Sequence, residues 1–215
     1  MLRSTLLVTV VYLLFSCQKD EINPVLDLCQ EQYYYYSGGD KNYLKHSLQE
    51  VYLVMEQDTV SKTEAESIIS SFDFLDSDLS RYLTHDENYN NIWVRINEKC
   101  DCSSYKNKLK EINADSNVSS ATPIFYYAND PLAYWVLLSE VSIMFDEQLI
   151  TGADFIDYAE TLNLELIDDF RYPTLHFKVK EVVTGFEALE ISNKLHESDS
   201  VIFTQPNSIV RIELY

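Results

Sequence analysis

Apolar and polar residues alternate strictly in two stretches of the chain. Ile92, Val94 and Ile96 oppose Trp93 and Arg95, while Leu175, Phe177 and Val179 oppose His176, Lys178 and Lys180, the pattern of strands with one buried face. Residues 51–55 and 141–145 are apolar enough to read as two further strands. Elsewhere the spacing becomes helical: Ile68, Phe72 and Leu75; Tyr105, Leu109 and Ile112; Phe155, Tyr158, Ala159 and Leu162; Ala188, Ile191, Ser192 and Leu195. Three of these four helices are preceded by capping signatures, Ser61-x-x-Glu64, Thr151-x-x-Asp154 and Thr184-x-x-Glu187, whose side-chain oxygens can satisfy the first backbone amides.

The pattern also repeats. Leu48-Gln49-Glu50-Val51 recurs as Leu138-Ser139-Glu140-Val141 at an offset of 90 residues. Further on the offset is 83: Ile92, Val94 and Ile96 align with Leu175, Phe177 and Val179, Glu98 with Glu181, Ile112 with Leu195, Val118 with Val201, and Pro123 with Pro206. A longer polar loop around residues 76–91 absorbs the difference, and the chain reads as a tandem duplication. The expected fold is α+β: two tandem ferredoxin-like (βαββαβ) units, residues 33–127 and 128–215, with helices on one face of each antiparallel sheet.

Composition narrows the function. The 215-residue chain sets 16 Lys and Arg against 35 Asp and Glu, a formal charge of -19, which repels phosphate backbones and excludes nucleic acid as a partner. Four glycines, at 38, 39, 152 and 185, are too few and too scattered for a phosphate-cradling loop. No metal or cofactor is expected: Cys100-Asp101-Cys102 lacks the spacing and the second ligand pair of a zinc site. The acid pairs Asp168-Asp169 and Asp154 with Asp157 are read as structural, since 35 acids guarantee such neighbours and Asp154 and Asp157 sit in a first helical turn. His176 is read as a half-exposed strand histidine.

The N-terminus carries an address. Arg3 precedes an apolar run from Leu6 to Phe15 that is too short to span a bilayer, so residues 1–16 read as a signal peptide. The following Leu14-Phe15-Ser16-Cys17 resembles the lipobox of bacterial lipoproteins, which implies lipid attachment at Cys17. Lys19-Asp20-Glu21 resembles the export signal of Bacteroidota-type lipoproteins, which implies a lipid-anchored protein displayed on the outer face of the outer membrane, with residues 17–32 as its tether. Of the remaining cysteines, a bridge from Cys29 to either Cys100 or Cys102 is favoured over a strained Cys-x-Cys ring, leaving one thiol.

Residues 33–215 resemble the prodomain region of subtilisin-like serine proteases. The resemblance rests on the aromatic-Gly-Lys-Leu stretch from Tyr33-Tyr34-Tyr35-Tyr36 through Gly38-Gly39 to Lys41 and Leu44, on Val118 to Pro123, and on Val201-Ile202-Phe203-Thr204-Gln205-Pro206-Asn207. It implies a protein that inhibits or assists a subtilisin-like protease, offering its tail Ile212-Glu213-Leu214-Tyr215 to the substrate cleft as an extended strand. Catalytic residues are not expected: none of His46, His85, His176 and His196 is followed by Gly, and no Gly precedes a Ser by two positions. The alternative is a surface binding or adhesion module. It is motivated by 16 Tyr and by Tyr52, Trp93 and Met144, which point away from the helix-covered face. Burial of those residues between two stacked sheets would remove that motive.

Overall fold

A computed structural model describes residues 33–79, 88–127 and 130–211. The elements run β1 (Tyr33–Ser37), β2 (Asp40–Met55), α1 (Lys62–Ser70), β3 (Asn91–Arg95), α2 (Cys102–Asn113), β4 (Val118–Tyr127), β5 (Asp130–Phe145), α3 (Gly152–Thr161), β6 (Leu164–Arg171), β7 (Thr174–Val179), α4 (Glu187–His196) and β8 (Val201–Arg211). All eight strands join one antiparallel sheet along the path β1-β2-β4-β5-β7-β6, with β3 on β2 and β8 on β5.

This overturns the two tandem ferredoxin-like units. The β4–β5 hairpin pairs Ile124 with Val136, Phe125 with Trp135 and Tyr126 with Tyr134, so the sheet runs unbroken across the boundary between the halves. Within the first half, β3 lies directly beside β2 and antiparallel to it, whereas the split ferredoxin-like arrangement runs those two strands parallel with another between them. Alternation shows which side chains share a face. It is silent on which strand a backbone pairs with, and that is where the expectation failed.

The pairing around β2 recurs around β5 at the offsets of the sequence repeat. Glu50 pairs with Arg95, and Glu140 with Lys178; Val51 pairs with Pro123, and Val141 with Pro206. Both long strands are interrupted at one place. Between His46↔Phe125 and Val51↔Pro123, β2 passes four residues where β4 passes one, and between Leu137↔Ser208 and Val141↔Pro206, β5 passes three where β8 passes one. Pro123 and Pro206 have no N–H to give to a ladder, and a bulge is where a sheet accommodates that loss. Each bulge splits its strand into two segments with different neighbours: β2 pairs with β1 and then β3, and β5 with β4 and then β7.

Local chemistry explains the ends of the elements. The β1–β2 turn is Gly38-Gly39, both at positive φ (61° and 89°), as a two-residue hairpin requires. Ser61 caps α1 with a full capping box, and Thr151 and Asp101 cap α3 and α2. At the third signature Thr184 Oγ and N do bond Glu187 Oε1, yet the residue preceding the helix is Phe186, because Gly185 at φ 80° turns the chain in between. Phe72 and Leu75 lie beyond the end of α1, where Leu75 bridges to Ile96.

The buried residues of all four helices, among them Ile69, Leu109, Phe155 and Leu195, share one core with Val51, Leu53, Val94, Val141, Ile143 and Phe177. The two halves also interlock. Asn113 Nδ2 donates to Ala121 O at 3.0 Å and Val183 O at 3.4 Å, and Thr122 Oγ1 donates to Leu137 O at 2.5 Å. Tyr33 of β1 stacks on Phe186 before α4 at 4.9 Å, and Asn193 of α4 donates to Tyr34 O at 2.7 Å. A Cβ on Gly185 would press directly into the carbonyl oxygen of Ala121 and stand 3.1 Å from Thr122 Cα.

Gly185→Ala should therefore lower unfolding stability by about 2 kcal/mol or more, combining positive-φ strain with a backbone clash. Gly38→Ala, where nothing lies within 4 Å, should cost only about 1 kcal/mol. Chemical denaturation midpoints of the two variants check the order, and equal losses would contradict the role given to Gly185.

Candidate functional site

Strand residues that alternate with the core positions form the other face of the sheet, which is covered by no element among the described residues. On it the two halves carry different chemistry at equivalent positions. Around β2, β3 and the β4–β5 hairpin, Ile124, Tyr126 and Val136 form a small buried cluster with half-buried Tyr52, Trp93 and Tyr134 around it. Tyr52 and Trp93 are cross-strand partners, as are Tyr126 and Tyr134, and Trp93 meets Tyr134 edge to face at 4.7 Å and 83°.

Glu50 sits beneath these rings, on the face of Tyr52 by strand alternation, and is only 7% exposed. The bulge is held by Ile96 N donating to Gln49 O at 2.7 Å and by the buried Tyr105 hydroxyl donating to Glu50 O at 2.7 Å. Tyr126 Oη donates to Glu50 Oε2 at 2.8 Å. Burial pushes the Glu50 carboxyl above its ordinary range, against the opposing hydrogen bonds of Tyr126, Ser47 and Trp93 and the charge of Arg95. Burial, with the Glu50 charge adding to it, drives the Tyr126 phenol far upward, so it remains a donor. The pair is a satisfied structural contact that fixes two rings of the aromatic patch.

In the second half Glu140, Ser142, His176 and Asn207 stand where the first half has Glu50, Tyr52, Trp93 and Ile124. They are hydrogen-bonded in series: Asn207 Nδ2 donates to Glu140 Oε2 at 2.9 Å, Ser142 Oγ to Asn207 Oδ1 at 2.7 Å, and Ser142 Oγ meets His176 Nδ1 at 2.9 Å. A shallow cleft of about 330 Å³ opens beside them, lined by Leu138, Ser142, Gln205, Pro206, Asn207 and Ser208. The serine is not set up as a nucleophile, since its one proton goes to the Asn207 carbonyl and not to the imidazole.

The residues expected to act from the sequence are not brought together. Cys17, Lys19, Asp20 and Glu21, and the tail Ile212, Glu213, Leu214 and Tyr215, lie outside the described residues. His176 occupies the predicted face, but its partners Ser142, Asn207 and Glu140 come from β5 and β8 and carry no common motif. Asp154 is engaged by the Thr151 hydroxyl at 2.6 Å in its cap. Among the described residues no group of three or more His, Cys, Asp or Glu side chains is placed to hold a metal ion, and no helix is long and apolar enough to cross a membrane. Cys102 is in a disulfide whose partner lies outside the described residues, and Cys100 is a free, buried thiol that burial pushes upward in pKa. Compared with known proteins, the chain matches no family model, no curated protein and no solved structure.

Because the folded Glu50 pKa lies above the unfolded one, the folded state holds its proton while the unfolded state has lost it. Glu50 should thus subtract stability progressively as pH rises from the ordinary carboxylate range through its raised value. The difference in unfolding free energy between wild type and Glu50→Gln, followed across that window, should slope in this sense; a flat difference would contradict it. A form of residues 18–215 should show one thiol per chain that reacts with a thiol reagent only after denaturation, read by absorbance; rapid native labelling of Cys100 would contradict its burial.

Proposed function

We propose that the protein is a non-enzymatic, lipid-anchored binding module of the outer-membrane surface, held there by Cys17 and using the helix-free face of its sheet to engage a partner. The observation that carries this reading is the aromatic patch: Tyr52, Trp93 and Tyr134 are half-buried and face outward. Both halves belong to one sheet, so no second sheet stacks over these rings among the described residues. Large amphipathic rings held rigid by neighbours are economical recognition groups, because little side-chain entropy is left to lose on binding. The net charge of -19 favours neutral or cationic partners.

The protease-directed reading stands as a second proposal, supported by the edge strand β8, whose Ile209 and Val210 are exposed just before the tail Ile212-Glu213-Leu214-Tyr215. A single experiment separates the two. The soluble form, residues 18–215, is used to capture partners from culture supernatant and outer-membrane extract, identified by mass spectrometry, alongside a Trp93→Ala, Tyr134→Ala double variant, a Lys62→Glu variant on α1, and a truncation lacking residues 212–215. The binding-face reading expects a partner lost by the double variant and retained by Lys62→Glu; retention by both would sink it. A subtilisin-type protease lost only on truncation would instead establish the protease-directed reading.

A further inference from the structure

The series of hydrogen bonds in the second half determines where its protons lie. A carboxylate cannot donate, so the Glu140 contact at 2.9 Å fixes the Asn207 amide with Nδ2 toward Glu140 and Oδ1 toward Ser142. The single Ser142 proton then goes to Asn207 Oδ1 at 2.7 Å. His176 Nδ1, 2.9 Å from the same hydroxyl oxygen, must carry a hydrogen and donate it. The Nδ1–H is thus committed to Ser142, and no hydrogen bond from a described residue engages Nε2. Four side chains from three strands are locked to present one acceptor.

This order is not a requirement of the scaffold. The first half, with the same pairings at offsets of 90 and 83, has Tyr52, Trp93 and Ile124 where the second has Ser142, His176 and Asn207. There the positions are filled by apolar packing, which stabilises a sheet face more simply than a polar chain that must be fully satisfied. The polar set therefore points to a ligand. It borders the cleft over Leu138, where the Gln205 amide offers a donor and an acceptor at once, and Glu140, bonded through Oε2 to the cleft residue Asn207, has Oε1 as a second acceptor beside it. Along β5 the outward positions run Tyr134, Val136, Leu138 and then Glu140 and Ser142, so the polar cleft adjoins the aromatic patch on one strand.

We infer that this cleft, together with the His176 and Glu140 side chains that adjoin it through Ser142 and Asn207, binds a neutral polyhydroxylated ligand, a carbohydrate, whose hydroxyls exchange hydrogen bonds with Gln205 and donate to His176 Nε2 and Glu140 Oε1, and whose next residues extend over Tyr134 and Trp93. A hydroxyl both donates and accepts, which matches this mixed set, and sugar C–H faces pack on aromatic rings. Anionic sugars are disfavoured by the net charge of -19. An ammonium group, a donor only, would leave the Gln205 N–H groups unmatched and would find one Glu140 oxygen already spent on Asn207. The inference rests on the proposed role of the open face and names its ligand class.

The test uses the soluble form, residues 18–215, titrated by calorimetry and by NMR with neutral hexasaccharides of glucose, mannose, galactose, xylose and N-acetylglucosamine, with choline and a lysine-rich peptide as cationic probes. Long-range proton–nitrogen spectra should show His176 as the Nδ1–H tautomer, and its Nε2 signal should shift on addition of at least one hexasaccharide. Asn207→Leu and, separately, His176→Phe should weaken that binding about ten-fold or more while circular dichroism is unchanged, as expected when a site built for hydroxyl groups loses a polar partner. Absence of binding by every hexasaccharide, binding indifferent to both variants, or a His176 shift caused only by choline or the peptide would overturn the inference. If no sugar binds while the Trp93→Ala, Tyr134→Ala variant still loses its captured partner, the open-face function survives and only the ligand class is wrong.

Discussion

Two prolines without amide hydrogens organise this molecule. Pro123 and Pro206 stand opposite Val51 and Val141 with no N–H to give to a ladder, and beside both the facing strand bulges. The bulges let β2 and β5 each serve two sets of neighbours, and at the end of each one a glutamate, Glu50 or Glu140, begins the regular ladder with β3 or β7. Polar side chains fill in where ladder bonds are missing: Tyr105 takes up the Glu50 carbonyl, and Thr122 reaches Leu137 O.

The same geometry accounts for the merging of the halves. Once β5 has paired its first segment with the end of β4, its second segment is free to take β7, and the gap beside β4 is closed by the Gly185 turn and by Asn113. The tyrosine-rich β1 is tied to β2 by pairing and to α4 by Asn193 and the Tyr33–Phe186 stack. A domain assembled this way buries one shared core, a larger fraction of its surface than two units of 80 to 90 residues would bury alone.

With the fold duplicated in its pairing, divergence is concentrated on the uncovered face. Core positions are apolar in both halves: Val51 and Val141, Leu53 and Ile143, Val94 and Phe177. The outward positions differ in kind, Tyr52 against Ser142 and Trp93 against His176. Packing constrains the first group tightly, because any change of volume is felt by many neighbours. The second group has fewer neighbours to satisfy, and it is there that aromatic rings and a hydrogen-bonded polar chain stand side by side.

The sequence alone carried the periodicities, and through them strands β2, β3, β5 and β7, the caps of α1 and α3, and the two offsets at which the pairings recur. Those features are local or self-similar, so side-chain spacing encodes them directly. It also carried the face assignment of Trp93 and His176. Only the tertiary structure decided that the two halves share a sheet, that Pro123 and Pro206 face bulges, that Gly185 lies against Ala121, and that His176 is tied through Ser142 and Asn207 to Glu140. Each of these depends on which distant backbone a strand pairs with, and the alternation of side chains, identical for every partner of the right length, contains no record of that choice.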